Sequence, residues 1–397
     1  MANIHHAFLG GDTRRGRVGL KTGPQKGKKK SGKEFRKSED CTSKLKRVRR
    51  EIDLVDYEIL KLLNERIELS LQAKKLKKTT CDRARERQVL RRVRRYAGIF
   101  NLVQRDFVER LYTEIMKESR KSQEAEQGLI GFQGEHGAFG EIAARHYDPH
   151  LVAIPCPEFA HVFEGVQKGY LDLGIVPVEN SLGGPVSPVN ELLIQTDLKV
   201  VAAIQLRINH CLLAIPEVKT REIKVVYSHP QALSQCRAFL SRRHLEGRPY
   251  YDTAGAARML AQKGLKAAAA IASPLCAELY NLEVLKEDIG DNPSNFTRFF
   301  VLARAEKKTD GNMGSIVFAA PHKAGTLCAV LEIFARAGIN LTRIASLPDR
   351  DDPGRYVFFL DFQITGCREP TLQMLDEVKQ KTKMLKYLGC YREEVLP

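Results

Sequence analysis

Three polar clusters hold the side chains best suited to chemistry: Glu179-Asn180-Ser181, Ser228-His229-Pro230-Gln231 with Gln235 close behind, and Asn295-Phe296-Thr297-Arg298-Phe299. Each stands beside an apolar run, and neutral hydrogen-bonding groups in that arrangement describe a substrate cleft. A fourth set is cationic. Arg66 and Lys77 are eleven residues apart, which on an α-helix puts them on one face about 16 Å apart along the axis, so two long cations can bracket one small dianion. Arg49, seventeen residues before Arg66, falls about 100° around the helix and roughly 25 Å away. If it shares that site, it must come from a second copy of the chain. Ser119 and Gln123, at i and i+4, face one way on another helix and can supply polar contacts across a bundle.

Each set needs an element to position it. Leu171 to Val178 reads as a buried strand ending at a turn, where α/β sheets usually expose working residues, and Phe299 to Leu302 reads as another. From Lys33 to Ala97 there is no Gly and no Pro, and Leu45, Val48, Ile52, Val55, Ile59 and Leu62 recur in steps of three and four. That pattern predicts one long helix with a coiled-coil-like seam. A break with capping residues at Lys78-Thr79-Thr80-Cys81-Asp82 precedes a helix from Arg83 to Tyr96, and a third runs from Asn101 to about Gln123. Strand and helix patterns alternate from Gly128 to about Ala305, with His210 to Ile215 and Val225 to Tyr227 as further strands, which implies an α/β domain. Gly131, Gly134 and Gly137 lack the Gly-x-Gly-x-x-Gly spacing of a dinucleotide loop, so they are expected to make a tight strand-to-helix connection. After a polar linker at Glu306 to Asn312, strands at Ser315–Ala319, Thr342–Ser346, Arg355–Gln363 and Met384–Gly389 with helices at Thr326–Ala337 and Pro370–Thr382 complete a βαββαβ unit.

The chain has 397 residues, room for two to four domains. Its nine cysteines are scattered with no Cys-x-x-Cys pair, which points to reduced thiols in a cytoplasmic setting rather than disulfides or zinc. No apolar run approaches a membrane span, and the first residues lack a secretory pattern. The net charge of +16 is uneven, with Lys26, Lys28, Lys29, Lys30, Lys33, Arg36 and Lys37 in a basic leader over residues 1–40, expected to be disordered. Aromatic residues are not interleaved with these cations as base stacking requires, which argues against a nucleic-acid arm.

The middle of the chain resembles the prephenate dehydratases, and the closing Thr-Arg-Phe at Thr297-Arg298-Phe299 is among that family's most specific marks. The resemblance implies two lobes within residues 128–305, the second at about Leu206 to Tyr280, and a site collecting Glu179, Asn180, Ser181, Ser228, Gln235, Thr253, Thr297 and Arg298. Thr297 would be the donor to the departing hydroxyl. Taken singly these residues have plainer readings: Ser228 and Thr253 as caps, His210 and His229 as core or turn residues, Glu179 as a surface charge. Residues 41–125 resemble the all-helical chorismate mutases, which are intertwined dimers, although the stretch between Lys77 and Asp82 is short. By that resemblance Arg66 and a partner's Arg49 hold the substrate carboxylates, Lys77 and Gln123 hydrogen-bond the ether oxygen, Asp82, Arg85 and Glu86 order the hydroxyl region, and Ser119 adds a contact. Residues 313–392 resemble the ACT regulatory domain that binds phenylalanine, with Gly325, Thr326, Leu327, Ser346 and Pro348 at the effector site. The family's Glu-Ser-Arg-Pro reads Ala345-Ser346-Leu347-Pro348 here, so weakened feedback is expected.

Together these imply a multidomain chain: an all-α bundle, a two-lobed α/β domain and an α+β ACT domain. The implied activity converts chorismate to prephenate and then to phenylpyruvate, with neither metal nor organic cofactor, in a homodimer or higher homo-oligomer. Arogenate is the alternative dehydratase substrate. A non-catalytic sensor of aromatic ligands is a second class, though a sensor needs no two sets of reactive residues. A third, nucleic-acid binding through the leader, would show as a salt-dependent shift on DNA.

Overall fold

The computed structural model describes residues 32–77, 82–306, 311–321, 323–348, 356–364 and 368–396. The chain divides into two units, residues 1–62 and 63–397, and one helix, α1 (Gly32–Lys75), supplies residues to both. No proline interrupts its hydrogen-bond ladder. It starts within the stretch assigned to the leader, whose first 31 residues lie outside the described residues. In the first unit the seam residues Leu45, Val48, Ile52, Val55, Ile59 and Leu62 are between 46 and 59 % exposed. In the second, the end of α1 packs with α2 (Arg83–Ala97) and α3 (Arg105–Glu124), where Gln123 Nε2 donates to the Ser70 carbonyl at 2.7 Å. Residues 78–81 of the expected break lie outside the described residues, whereas the Asp82 side chain caps α2 by accepting from the Arg85 amide at 2.9 Å.

The α/β region opens with β1 (Leu129–Gln133), β2 (Val152–Cys156), β3 (Leu173–Asn180), the short β4 (Gly184–Pro185) and β5 (Lys199–Arg207). A second lobe holds β6 (Cys211–Ala214), β7 (Val225–Ser228), β8 (Glu246–Pro249), β9 (Ala268–Ala272) and β10 (Glu283–Lys286), six residues beyond the expected limit at Tyr280. The chain returns through β11 (Phe296–Ala303), then makes β12 (Met313–Ala319), β13 (Leu341–Pro348), β14 (Tyr356–Gln363) and β15 (Met384–Leu396). The second lobe orders its strands β10-β6-β9-β7-β8. The other sheet runs β13-β14-β12-β15-β5-β11-β3-β1-β2, so the C-terminal βαββαβ unit and the first lobe share one sheet.

That continuity comes from β15. It was expected to end at Gly389 but bends there and runs on, pairing Arg392–Leu396 in parallel with Ala202–Leu206. Gly389 has φ 147° and a Cβ would lie 2.4 Å from the Val200 carbonyl oxygen, so glycine alone permits the bend.

Helices and sheet are also joined by charge. His136, in the loop after β1, places Nε2 3.3 Å from Glu68 of α1 and Nδ1 3.3 Å from Glu141, which also pairs with Arg145 at 2.6 Å. Burial alone would lower the imidazole pKa; hydrogen bonds and attraction from the two carboxylates overcome it and raise the value to about 10. Because this lies above the unfolded value, the stabilisation is complete below about pH 6.5 and fades as pH climbs toward the folded pKa. His136→Gln should therefore cost about 3 kcal/mol at pH 6. Chemical denaturation of both proteins at pH 6 and 10 checks it: the gap should shrink with pH, and a constant gap would contradict the charged clamp.

Candidate active sites

The first site lies between the two lobes, in a cavity of about 380 Å³ lined by Asn180, His210, Gln235, Asp252, Thr253 and Thr297 above an apolar floor that includes Phe139, Ile175 and Phe299. Thr297 and Asn180 face each other across paired β11 and β3, and both are largely buried, at 9 and 6 % exposure. Asn180 Nδ2 donates to Thr297 Oγ1 at 3.0 Å, while its Oδ1 accepts from Gln235 Nε2 at 3.2 Å and from the amides of Leu182 and Gly183 at 3.1 and 2.7 Å. Since Thr297 accepts from Asn180, its own proton remains available to a ligand.

His210 continues the chain, with Nε2 2.8 Å from Gln235 Oε1. As Gln235 Oε1 can only accept, the network assigns the proton to Nε2, and burial lowers the pKa, keeping the ring neutral. Nδ1 is buried without a hydrogen-bond partner among the described residues. His210, expected as a core or turn residue, instead lines the cleft, and only its place at the start of an apolar strand hints at this in the sequence. Asp252 was likewise unassigned. It caps the helix Thr253–Lys263 by accepting from the Gly255 amide at 2.8 Å, and burial raises its pKa.

Four expected members of this site are elsewhere. Arg298 follows Thr297 on a strand, where successive side chains take opposite faces, and it turns away to meet Glu393 at 2.5 Å, Tyr391 at 3.1 Å and Asp361. Glu179 also points out of the cleft, to Arg343 Nε at 3.0 Å. The reason is a β-bulge: Arg298 pairs with Glu179 but Phe299 pairs with Pro177, leaving Val178 as the extra residue. The bulge shifts the alternation, so Ile175 and Pro177 share the cleft face with Asn180 rather than with Glu179. Ser228 is fully buried and donates to the Ile271 carbonyl at 2.6 Å, a fold contact in the second lobe. Ser181 ties its turn to the Ser294 carbonyl at 2.8 Å and the Phe296 amide at 3.0 Å.

The second site is a cavity of about 520 Å³ among the end of α1, α2 and α3, and it collects Arg66, Lys77, Asp82, Arg85, Glu86, Ser119 and Gln123. Arg92 and Arg120 also line it, so five cations face two carboxylates, a balance that suits a dianion. Arg66 Nη1 donates to Ser119 Oγ at 2.7 Å. α1 stops at Lys75, so Lys77 reaches the cavity from just past the helix end rather than from its face. Arg49 belongs to the first unit and is exposed on α1.

The C-terminal unit has a cavity of about 280 Å³ at Gly325, Thr326 and Leu327, closed by Tyr356 and Phe358. Ser346 and Pro348 do not line it: they are exposed on the edge strand β13, and Ala345 and Leu347 pack inward.

Sequence models of three families match in order: Chorismate mutase type II over residues 48–124, Prephenate dehydratase over 130–307 and ACT domain over 314–381. The chain is 37% identical over 274 residues to arogenate dehydratase/prephenate dehydratase 2 of Arabidopsis thaliana, covering 66% of this chain and 72% of that protein. The chain belongs to the prephenate dehydratase family. Among solved structures, the prephenate dehydratase of Arthrobacter aurescens in complex with L-Phe matches with 30% identity and TM-score 0.61, over 66% of this chain and 89% of that one. GqqA, described as a quorum quenching acylase, matches with 32% identity and TM-score 0.62, over 67 and 98%. This dehydratase thus carries a helical chorismate mutase domain before its two-lobed domain and an ACT domain after it. It is an enzyme with isomerase and lyase domains, of phenylalanine biosynthesis.

Proposed function

We propose that one chain catalyses two consecutive reactions, chorismate to prephenate in the helical cavity and prephenate to phenylpyruvate in the cleft. The observation that supports this best is the Asn180 donation to Thr297 Oγ1, which leaves the threonine proton free for a departing hydroxyl. In the first reaction a carbon–oxygen bond breaks as a carbon–carbon bond forms, with no proton transfer. The enzyme needs to hold a compact conformer and stabilise charge growing on the ether oxygen. Arg66 takes a carboxylate and Lys77 the ether oxygen. Gln123 joins Lys77 once its amide leaves Ser70, to which it donates at 2.7 and 2.9 Å.

In the second reaction the electrons of the bond to the departing carboxylate enter the ring as the ring hydroxyl leaves, stabilised by a hydrogen bond from Thr297; carbon dioxide and hydroxide result, and a solvent proton converts the hydroxide to water. A cation on that carboxylate would stabilise the ground state and oppose electron flow. No Lys or Arg lines the cleft among the described residues. The remaining carboxylate then falls to amide donors, and the starts of the helices Phe139–Tyr147, Pro230–Gln235 and Thr253–Lys263 all border the cavity.

The same observation favours a second substrate. Arogenate carries an ammonium where prephenate has a ketone, so a cleft lined by Asp252, with no Lys or Arg among the described residues, suits its lower net negative charge. Phenylalanine is the effector, held at Gly325-Thr326-Leu327, with Ala345 and Leu347 in place of a charged pair making feedback weaker. The exposed α1 seam supports a homodimer in which a second copy brings Arg49 to the helical cavity. Supplying prephenate and arogenate separately to the full chain, with phenylalanine titrated into each, tests the cleft. Phenylpyruvate from prephenate is expected, and phenylalanine from arogenate in the second reading. Turnover of neither substrate would overturn the dehydratase assignment.

A further inference from the structure

The bulge that turns Asn180 toward Thr297 is held from the ACT domain. Arg343, on β13, is 7 % exposed and reaches across to the first lobe. Its Nη2 lies 3.5 Å from the carbonyl of Val178, the bulged residue, and 3.3 Å from Asn190 Oδ1, and its Nε lies 3.0 Å from Glu179. Asn190 Nδ2 donates to the same Val178 carbonyl at 3.2 Å. Asp361 of β14 sits 3.5 Å from Arg343 Nη1 and also binds Arg298, the neighbour of Thr297. Its other oxygen accepts from Ser315 at 2.5 Å, so the carboxylate is fixed within the ACT sheet.

Two adjacent residue pairs therefore have one member in the cleft and one on the ACT side. Thr297 and Asn180 face the ligand; Arg298 and Glu179, their strand neighbours, are gripped by Asp361 and Arg343. A bulge is a two-versus-one pairing whose extra residue lacks ladder bonds, so its carbonyl needs partners from outside the sheet. Here those partners are the Val186 amide at 3.0 Å and, from side chains, Asn190 and Arg343. Without Arg343, Glu179 loses its countercharge and the Val178 carbonyl one of its donors, and the strand can relax toward a register that withdraws Asn180.

We infer that Arg343 is a positioning residue for dehydration, an ACT-domain side chain that fixes the β3 bulge and so aims Asn180 at Thr297. The inference rests on the proposed roles of Thr297 and Asn180, and it adds a residue of another domain to that site. It also gives the ACT domain a physical handle on the cleft, since any shift of β13 moves Arg343 against the bulge.

The test compares the full-length wild type with Arg343→Met and with Glu179→Gln, which keeps an acceptor but removes the charge. Hydrogen exchange in residues 178–186 reads the bulge directly, because the amides of Leu182, Gly183 and Val186 donate to Asn180 Oδ1 and the Val178 carbonyl. Both variants should exchange faster there, with other first-lobe strands unchanged. For the better substrate, kcat should fall roughly five- to thirtyfold in Arg343→Met with KM held. Glu179→Gln should follow with a smaller fall. Chorismate consumption should stay at the wild-type rate, reporting intact folding. Unchanged exchange and kcat in folded Arg343→Met, or a raised KM with kcat intact, would overturn the inference. If Arg343→Met loses chorismate turnover as well and is unfolded, Glu179→Gln decides by the same criteria. If the wild type turns over neither substrate, the functional reading fails, while the exchange comparison still decides whether Arg343 holds the bulge.

Discussion

Replacing Thr297 by Ala should leave the chain making prephenate and unable to use it. Thr297 supplies the one hydroxyl that meets Asn180 from the paired strand, and its free proton is the donor assigned to the departing hydroxyl. Loss of a single well-placed donor to a leaving or developing oxyanion costs about 10²- to 10³-fold in kcat. With chorismate supplied, prephenate should accumulate at the wild-type rate of chorismate loss. Thr297→Ser should recover part of the dehydration, because the hydroxyl returns without the methyl group that restrains its rotamer. Chromatography of quenched time points checks both. Normal phenylpyruvate formation by Thr297→Ala would remove Thr297 from the mechanism.

Arg66→Ala and Lys77→Ala should do the opposite. Each removes a cation from a cavity that faces a dianion, and truncating one partner of a desolvated charge pair commonly costs enough to slow turnover by about 10²-fold or more. Chorismate consumption should nearly stop while added prephenate is turned over as before, because the cleft shares none of these residues. Arg49→Ala should also lose chorismate turnover. Mixing it with Lys77→Ala under subunit exchange should restore part of the activity if each site draws Arg49 from the other copy. Absence of recovery despite demonstrated exchange would count against a shared site.

Much of this architecture was legible because it rests on local chemistry. The Gly- and Pro-free run underlies α1, and the seam at Leu45 to Leu62 is an apolar face that stays about half exposed. Thr297 and Asn180 were readable because they stand near the ends of apolar strands, whereas Gln235 and Thr253 lie on helices and Thr253 was implied only by the family resemblance. Arg298 and Glu179 were misplaced for a reason that no local pattern carries. Their direction depends on a bulge at Val178 and on partners far along the chain, Asp361 and Glu393 for one and Arg343 for the other. Ser228 failed differently, since a hydroxyl at a strand end serves a cleft or a buried carbonyl equally well, and only the packing of β9 decides. The run of β15 into the first lobe was hidden because Gly389 reads as a strand end but serves as a bend between two sheets' worth of pairing.

The most direct test is a time course of the purified full-length chain given chorismate alone, with chorismate, prephenate, phenylpyruvate and carbon dioxide all quantified. Prephenate should rise and then fall, and phenylpyruvate and carbon dioxide should appear in equal amounts matching the chorismate consumed. Chorismate that stays intact while added prephenate is consumed, or prephenate that accumulates without carbon dioxide release, would contradict a chain that performs both reactions.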